Sequence, residues 1–384
     1  MGNEDCPDAA APLCEPDSGE CVSCSAVADG DGACAQLDPA TPLCVGDRCV
    51  ACTADDPLVC DQQLLVCDDD THACVPCGEH EECGSGACEL ALGRCFPTDF
   101  VVTVDGDGGA MADYMSIAAA VDAVDDGQHG VIVVHELDMA APYALGVQVT
   151  GGKTIALLAA PGEAPIIQGT GGNPGLRVEG AGTSVYVDGL SIAGNTGGLG
   201  LAVDGASAWV DRSRIVQNSG GGILAQNGAE LTLRNCFVVL NGGQFVDTRG
   251  LTASNAIIRL AYTTVAANDG TGATGPISIA CDAGTTGEVR NSIVASGTDT
   301  IDCTGLVFDS NVVDTAGLSG SNNDVLAFDP GWFPGIAMSD FHVAAGPPFA
   351  EVAQWNDGDP LTDIDGDARP TNDGDPDYAG ADVP

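Results

Sequence analysis

Basic residues are scarce in this chain. Its 384 residues include 11 lysines and arginines against 56 aspartates and glutamates, which gives a formal net charge of −45. Such an acidic surface repels phosphate backbones and anionic lipids, so nucleic acid and acidic membranes are excluded as partners. Cations are therefore the charged partners that fit this surface, and calcium suits an aspartate-rich surface best.

Aromatic residues and long apolar runs are also few. Aromatics make up 4% of the chain, and no apolar run approaches the roughly 18 residues of a membrane-spanning helix. Hydrophobic residues nevertheless reach 44%, and there are 53 glycines. This composition favours many thin, repeated layers over one core packed on aromatic rings.

Cysteine, by contrast, is abundant at the N-terminus, where 15 of the 18 cysteines lie between Cys6 and Cys95. They form a repeat of four cysteines per unit: Cys24, Cys34, Cys44, Cys49; Cys52, Cys60, Cys67, Cys74; and Cys77, Cys83, Cys88, Cys95. The first unit has three, Cys6, Cys14 and Cys21. We expect the missing first cysteine of this unit to precede Met1 in a precursor, where it is a candidate lipid-anchor site, and an export signal to have been removed.

Two chemistries suit this cysteine repeat. The C-x-x-C pairs Cys21/Cys24, Cys49/Cys52 and Cys74/Cys77 allow a zinc knuckle. Disulfides account for all four cysteines of a unit, whereas zinc does not, and the basic residues of nucleic-acid-reading zinc modules are missing. We therefore predict a disulfide scaffold from an oxidising compartment, with its connectivity open.

The larger part of the chain is a second repeat. Segments beginning at Val187, Val210, Leu233 and Leu260 each reach an asparagine eight positions later, and weaker copies begin at Val289 and Val307. A period near 23 with several short strands is typical of a parallel β-helix. The residues three and five positions after each start form the inward columns, and the column at plus five is aliphatic throughout. The asparagines Asn195, Asn218, Asn241 and Asn268 predict an internal ladder of stacked amides.

The segments SIAAAVDAV (116–124), VIVV (131–134) and KTIALLAAPGEAPIIQG (153–169), followed by these coils, resemble the opening of the pectin-lyase-like superfamily. The resemblance covers about residues 98–384. With the cysteine repeats in front, the chain is similar to exported surface proteins of myxobacteria. The resemblance implies a right-handed parallel β-helix with a short N-terminal capping helix. Because the superfamily includes lyases, hydrolases and adhesins, it implies a fold and no single activity.

The residues that the superfamily's enzymes use are mostly missing. Its hydrolases combine clustered aspartates with a histidine and an R-x-K element, which this sequence lacks, and Lys153 is its one lysine. Its lyases combine calcium-binding carboxylates with an arginine or lysine base. Several arginines do lie in the coils, so a calcium-dependent polysaccharide lyase acting on acidic glycans stays as the alternative to a non-enzymatic protein. We assign no catalytic residue.

One outward face nevertheless suggests a sugar-binding ledge. Tyr186 and Trp209 share a column that continues to Arg259, and the neighbouring column holds Asp188, Asp211 and Arg234. Because neighbouring strands lie about 4.8 Å apart, the two rings are expected to stack beside an acidic pair. Aromatic rings flanked by carboxylates and arginine suit a sugar. The alternative is an ordinary polar outer face whose aromatics are covered by loops.

Two features of the C-terminal third complete the candidates. Asp363, Asp365 and Asp367 resemble the start of a calcium loop, although Ala368 stands where glycine is needed; the alternative is a solvated acidic end. Calcium is the one cofactor that the sequence suggests. Cys281 and Cys303 precede successive coils and are candidates for a disulfide between them. Arg369 and Tyr378 are expected to hold the tail over the last coil as a cap.

We thus predict three regions: a cysteine-rich disulfide repeat (1–97), a parallel β-helix (98–345) and an acidic C-terminal cap (346–384). The expected role is an extracellular or outer-surface protein that presents a binding face to polysaccharide or to an envelope protein.

Overall fold

The computed structural model describes residues 6, 8–15, 18–109, 112–242, 249–268, 276–347, 349 and 351–384. The chain divides into two compact units, Met1–Thr98 and Asp99–Pro384. Met1, which bears on the expected upstream cysteine, lies outside the described residues. In the described part of the chain, no helix is both long and apolar enough to span a bilayer.

The N-terminal unit is a series of short antiparallel hairpins with two helices, α1 (Gly30–Leu37) and α2 (Leu58–Asp61). Single turns of 3₁₀ helix cover Cys24–Ala26 and His80–Glu82. The four hairpins pair β1 (Leu13–Cys14) with β2 (Cys21–Val22), β3 (Leu43–Val45) with β4 (Arg48–Val50), β5 (Val66–Asp68) with β6 (Ala73–Val75), and β7 (Cys88–Glu89) with β8 (Arg94–Cys95). In each hairpin the third and fourth cysteines of a unit face each other across the two strands.

Each complete cysteine unit closes on itself by two disulfides. The first cysteine binds the third and the second binds the fourth: Cys24–Cys44 and Cys34–Cys49, Cys52–Cys67 and Cys60–Cys74, Cys77–Cys88 and Cys83–Cys95. Cys6–Cys21 follows the second-to-fourth pattern. Every cysteine of the three C-x-x-C pairs is therefore in a disulfide, which confirms the disulfide scaffold and makes the zinc alternative wrong. The two small clusters of buried residues described in this unit consist almost entirely of cysteines, so cross-links take the place of a larger apolar core.

The second unit is a parallel β-helix with three sheets, in which strands are numbered along the chain. The first sheet holds β9 (Val101–Val104), β10 (His129–Val134), β13 (Thr154–Ala159), β16 (Ser184–Asp188), β19 (Ser207–Asp211), β22 (Glu230–Arg234), β25 (Ile257–Ala261), β28 (Thr286–Arg290) and β31 (Leu306–Asp309). The second holds β11 (Pro142–Ala144), β14 (Ile166–Gln168), β17 (Ser191–Ala193), β20 (Arg214–Val216), β23 (Phe237–Val239), β26 (Thr264–Ala266), β29 (Ile293–Ala295), β32 (Val312–Val313) and β33 (Asp324–Val325). The third holds β12 (Val147–Val149), β15 (Leu176–Glu179), β18 (Leu201–Asp204), β21 (Ile223–Gln226), β24 (Leu251–Ser254), β27 (Ile279–Cys281) and β30 (Ile301–Asp302).

The interior of the solenoid is built from aliphatic columns, as the alternation predicted. Val187, Val210 and Leu233 pair in register and are buried, and so are Ile192 and Ile215. The helix α3 (Ile117–Ala123) packs against β9, β10 and β12 at the start of the solenoid. The Ser116 hydroxyl accepts a hydrogen bond from the Ala119 N–H and so caps its first turn. The predicted parallel β-helix with its capping helix is therefore confirmed.

Sharp turns between the first and second sheets repeat from coil to coil. The residue two positions after each coil start has a positive φ; this column holds Gly189, Arg212, Asn235, Tyr262, Asn291 and, in the last coil, which starts at Phe308, Ser310. Glycine and asparagine tolerate this left-handed conformation, whereas Tyr262 adopts it at a cost. Tyr262 is held there by burial beneath other side chains.

The predicted asparagine ladder lies at the next corner. The Asn218 Nδ2 donates to Asn241 Oδ1 (2.9 Å) and to the Ile192 carbonyl (3.0 Å), and the Asn218 backbone N–H also donates to Asn241 Oδ1 (3.1 Å). Asn241 makes the same contacts with Asn268. The ladder is buried, and its amides satisfy the backbone groups that the turn leaves unpaired.

The last coil departs from the predicted register by one residue. Val289 pairs with Phe308, and Val294 pairs with Val313, so this coil begins at Phe308 and not at Val307. Val307 is 41% exposed, whereas Phe308 is fully buried. A shift of one residue exchanges the two faces of a strand, and the larger phenylalanine takes the inward position.

The described residues of 326–384 are called the C-terminal layer here; residues 346–384 were expected to be either a cap over the last coil or a solvated tail, and residues 326–345 to belong to the solenoid. The layer packs instead along the outer face of the second sheet. Its aromatic residues Trp332, Phe333, Phe341, Phe349 and Trp355 are buried against outward residues of that sheet, among them Phe237, Ile293 and Val312. The layer includes 3₁₀ turns at Pro330–Trp332 and Ile336–Met338 and a small hairpin of β34 (Ala353–Gln354) and β35 (Pro376–Asp377).

Arg369 holds this layer to the solenoid. Its guanidinium lies 4.0 Å from the ring centroid of Tyr262 and donates to Asp377 (3.0 Å) and to the Gly380 carbonyl (2.9 Å). Gly380 comes so close to the sheet that a Cβ there would lie 2.8 Å from Ile293 Cδ1. Arg369 thus holds the tail to the solenoid, as predicted. The contact is not over the last coil, because Tyr262 lies between β25 and β26, before the last coils of the solenoid. The backbone N–H of Tyr378 donates to Asp377 Oδ1 (2.7 Å).

Candidate functional site

The predicted ledge has the expected register but not the expected exposure. Tyr186 pairs with Trp209, and Asp188 pairs with Asp211, in neighbouring strands. Tyr186 is only 4% exposed and Trp209 is half-buried, so the two rings do not form an open shelf. The outward residue Ala156, next to Tyr186 in the same column, is also buried. Exposure of Tyr186 was therefore wrongly predicted, because strand alternation shows which way a residue points and not what covers it.

The acidic pair of the ledge is occupied by arginines. Arg212 donates to Asp188 from Nε (2.8 Å) and Nη2 (2.6 Å), and Arg234 donates to Asp211 from Nε (2.6 Å). Asp211 is 1% exposed. Arg259 is exposed and lies 3.8 Å from Glu230. These residues form ion pairs along the sheet, and the carboxylates of Asp188 and Asp211 are largely buried within them, so this face offers no open acidic pair.

A groove lies instead on the outer face of the third sheet. Two adjoining clefts of about 360 and 200 Å³ share Pro174 and Arg177 and cross β12, β15, β18 and β21. We call them together the third-sheet groove. Its polar lining comes from Gln148, Asn173, Arg177, Glu179, Asp204 and Gln226, and its apolar lining from Leu145, Pro174, Leu199, Ala202 and Leu224.

Strand register places the polar groups of this groove in rows. Gln148 pairs with Arg177, while Glu179 pairs with Asp204 and Asp204 with Gln226. Since parallel strands lie about 4.8 Å apart, four strands place such groups over roughly 14 Å. Sequence reasoning missed the groove because the repeat was aligned on the first and second sheets. The alternation in LRVE (176–179), LAVD (201–204) and ILAQ (223–226) was the available signal.

Hydrogen bonds hold the Asp204 carboxylate of the groove as an anion. Asp204 accepts hydrogen bonds from Asn227 Nδ2 (2.7 Å) and Gln226 Nε2 (2.8 Å), which lower its pKa together with the charge of Arg177. Arg177 Nε donates to Glu179 (2.8 Å). A glycosidase acid needs a carboxyl whose pKa is raised, so Asp204 has the opposite character. The groove offers acceptors, amide donors and one guanidinium, which is chemistry for binding hydroxyl-rich polymers.

The candidate calcium triplet does not converge on one point. Asp363 is fully buried, and its Oδ1 accepts the backbone N–H groups of Asp365 and Asp367 (both 2.9 Å) while Oδ2 accepts that of Val383 (3.0 Å). Asp363 therefore shapes its own loop. Asp367 is exposed.

A different cluster forms around Asp365. Among the described residues, one ligand atom each from His342, Asp365 and Asp382 lie within 4.8 Å of one another. His342 also contacts Asp340, and Arg214 Nη2 donates to Asp365 Oδ1 (3.1 Å). Burial raises the pKa of Asp382 to about 6, and nearby Asp363 and Asp365 contribute. Burial lowers the pKa of His342, but hydrogen bonds to Asp340 and Asp365 outweigh it and raise that pKa overall.

The remaining cysteines lie in the solenoid. Cys281 and Cys303 form a disulfide between neighbouring coils, where Ile279 pairs with Ile301 and Ala280 with Asp302. Cys236 is buried in the inward column beside Ser213 and Thr263, and burial raises the pKa of its thiol. Since only the thiolate is a good nucleophile, Cys236 is a core residue and not a reactive one.

Comparisons with known proteins identify no activity. A model described as "Family of unknown function (DUF8331)" matches residues 1–101. No curated protein matches the chain. Among solved structures, Geobacillus virus E2 ORF18 is similar (17% identity, TM-score 0.34, 58% of this chain and 42% of that one). So are pectin methylesterase from carrot (17%, 0.34, 61% and 91%) and pectate lyase Pel9A (12%, 0.31, 74% and 96%).

The chain thus spans less than half the length of the viral protein. Likeness at these TM-scores supports no argument about activity, and the parallel β-helix rests on the strand pairings themselves.

Proposed function

We propose that this protein is an extracellular, non-enzymatic β-helix protein that binds an extended glycan in the third-sheet groove. The observation that carries the proposal is the row of polar side chains that Gln148, Arg177, Glu179, Asp204 and Gln226 present across neighbouring coils. Along the row of Glu179, Asp204 and Gln226, a polymer with a repeating unit finds a side-chain oxygen acceptor at each of three neighbouring strands.

An extracellular location fits the covalent chemistry of the chain. Seven disulfides close the N-terminal unit and an eighth joins two coils of the solenoid. Disulfides persist in oxidising compartments and are rare in the cytosol. An outer-surface position would bring the groove into contact with polysaccharide.

Charge favours a neutral or cationic glycan. The net charge of −45 repels an anionic polymer unless cations bridge the two. Within the groove, the one guanidinium of Arg177 faces two carboxylates, Glu179 and Asp204, so the local balance is also acidic. Neutral hydroxyl-rich chains and amino-sugar chains meet this surface without that repulsion.

The test compares two arginine variants on a panel of a neutral β-glucan, a chitosan oligosaccharide and polygalacturonate, with and without calcium. Arg177→Ala removes the groove guanidinium. Arg259→Ala is the matched control, because both arginines are paired with a glutamate and their side chains are comparably exposed, at 41% and 47%. Affinity is measured by calorimetry, and each mixture is scanned for absorbance from unsaturated products.

We expect the neutral or cationic polymer to bind, Arg177→Ala to weaken it about tenfold or more, and Arg259→Ala to leave it within twofold, since a hydrogen bond to a charged group contributes roughly 1.5–3 kcal/mol. Equal effects of the two variants, or no binding by any polymer, would overturn the groove assignment. Unsaturated products from polygalacturonate with calcium would overturn the non-enzymatic role in favour of a lyase.

A further inference from the structure

The C-terminal layer contains a constellation of side chains that the glycan-binding proposal does not use. His342, Asp365 and Asp382 come from three separate stretches of that layer, and one ligand atom of each lies within 4.8 Å of the others. We propose that His342 Nε2 and the carboxylates of Asp365 and Asp382 bind a divalent transition-metal ion, of which Zn²⁺ fits best. The site is independent of the groove.

The donor set selects the metal. Zinc accepts imidazole nitrogen together with carboxylate oxygen, whereas calcium takes six to eight oxygen ligands and magnesium keeps an octahedral shell of oxygens. Two carboxylates and a neutral imidazole carry a charge of about −2, which a divalent ion balances. Zinc holds such ligands at about 2.0–2.2 Å, so any two lie at most about 4.4 Å apart. The atoms lie within 4.8 Å of one another, and His342 Nε2 and Asp365 Oδ2, which are in direct contact, need to move apart to admit the ion between them.

The imidazole is oriented as a metal ligand requires. His342 Nδ1 contacts the Asp340 carboxylate, which also accepts the backbone N–H of His342 (3.1 Å). A carboxylate on one ring nitrogen holds the proton there and leaves the other nitrogen's lone pair for a metal. The other nitrogen, Nε2, is the one that faces Asp365. An edge-to-face contact with Phe237, at 5.8 Å between ring centroids, further fixes the ring.

The two carboxylates are also held in place. Asp382 is 5% exposed, and its Oδ2 accepts the backbone N–H of Val343 (2.6 Å). Asp365 lies in the loop that Asp363 shapes, and its Oδ1 receives Arg214 Nη2 (3.1 Å), so Oδ2 remains on the side of His342. Bound metal would therefore join three stretches of the C-terminal layer, close to where Arg214 links the layer to the solenoid.

The test uses the full chain, stripped with a chelator and titrated with Zn²⁺, Co²⁺ or Ca²⁺ at pH 7.5. His342→Ala removes the nitrogen ligand. His135→Ala is the matched control, because His135 is similarly exposed and also pairs with a carboxylate, that of Glu163 at 3.1 Å, outside this cluster. Asp382→Asn provides a second ligand variant, and circular dichroism checks that each variant folds.

We expect the wild type and His135→Ala to bind one more equivalent of Zn²⁺ than His342→Ala or Asp382→Asn, to melt at a higher temperature with Zn²⁺ than without, and to respond far less to Ca²⁺. Bound Co²⁺ should give the visible bands of a tetrahedral nitrogen and oxygen site without a thiolate charge-transfer band. Zinc stoichiometry that is the same in all four proteins would overturn the proposal and leave His342 as a cation between Asp340 and Asp365. Failure of glycan binding would not affect this outcome.

Discussion

Replacing Arg369 with alanine should loosen the C-terminal layer from the solenoid. Arg369 is 3% exposed, and it is the cation facing Asp377, which is itself 4% exposed. Its guanidinium also covers the ring of Tyr262 and donates to the Gly380 carbonyl. The variant therefore leaves a buried carboxylate without its cation and a buried carbonyl without its donor.

The expected loss of stability is large because both charged side chains are buried. Breaking a buried ion pair by removing one partner costs about 3–5 kcal/mol, and a desolvated cation–π contact contributes about 2 kcal/mol. These contributions are not additive, so we take about 3 kcal/mol as the lower bound. Every 1.4 kcal/mol is a factor of ten in an equilibrium, so local opening of the layer should become about a hundredfold more frequent.

Hydrogen exchange of the backbone amides of Gly380 and Ala381 measures this opening, because both donate to the solenoid, to the Asn291 carbonyl and to Thr264 Oγ1. Arg259→Ala is the control, since an exposed ion pair contributes only about 0–1 kcal/mol. The double variant Arg369→Ala/Asp377→Asn should recover part of the loss by removing the buried charge. Exchange in Arg369→Ala within threefold of the control would refute the argument that this arginine holds the layer.

Three further outcomes are expected. Asn218→Ala should lower the free energy of unfolding by about 2–4 kcal/mol in urea titrations, since it removes the four buried hydrogen bonds of the side chain, whereas the exposed Asn227→Ala should cost less than about 1 kcal/mol; equal costs would contradict a structural ladder. Cys236→Ser should leave the free energy of unfolding nearly unchanged, because Ser213 occupies the same position in the neighbouring coil. The buried Cys236 thiol should also resist alkylation until the protein unfolds. Glycan affinity should be constant from pH 8 to pH 5, because a lowered pKa keeps Asp204 ionised until the pH falls below the ordinary aspartate range near 3.9; a loss between pH 6 and pH 5 would contradict it.

The repeat itself could be predicted from sequence because each column is a local pattern. The aliphatic column from Ile192 to Val294 and the asparagine column from Asn195 to Asn268 recur at nearly constant spacing, and both lie where they were expected. The last coil was misplaced by one residue because Val307 and Phe308 both satisfy the pattern. Only packing against Val289 decides between them.

Coverage of the outer faces could not be predicted in the same way. Whether Tyr186 is exposed depends on which atoms lie over its ring, and periodicity does not report this. The C-terminal layer did leave a signal. Six of the 17 aromatic residues lie between Phe328 and Trp355, which is the composition of a packed segment and not of a solvated tail. The cluster of His342, Asp365 and Asp382 left none, because its members are 17 to 40 positions apart and meet only after the layer has folded.

The pairing of the first cysteine with the third and of the second with the fourth affects how the N-terminal unit is oxidised and how its number of repeats can change. Each such disulfide joins residues only 11 to 20 positions apart, and none leaves its own repeat. A repeat can therefore be oxidised as soon as it enters an oxidising compartment, before the following one arrives, so mispairing between repeats has little time to occur. Duplication or deletion of whole repeats would likewise preserve every remaining cystine, and the number of repeats can change without redesign of the solenoid that follows.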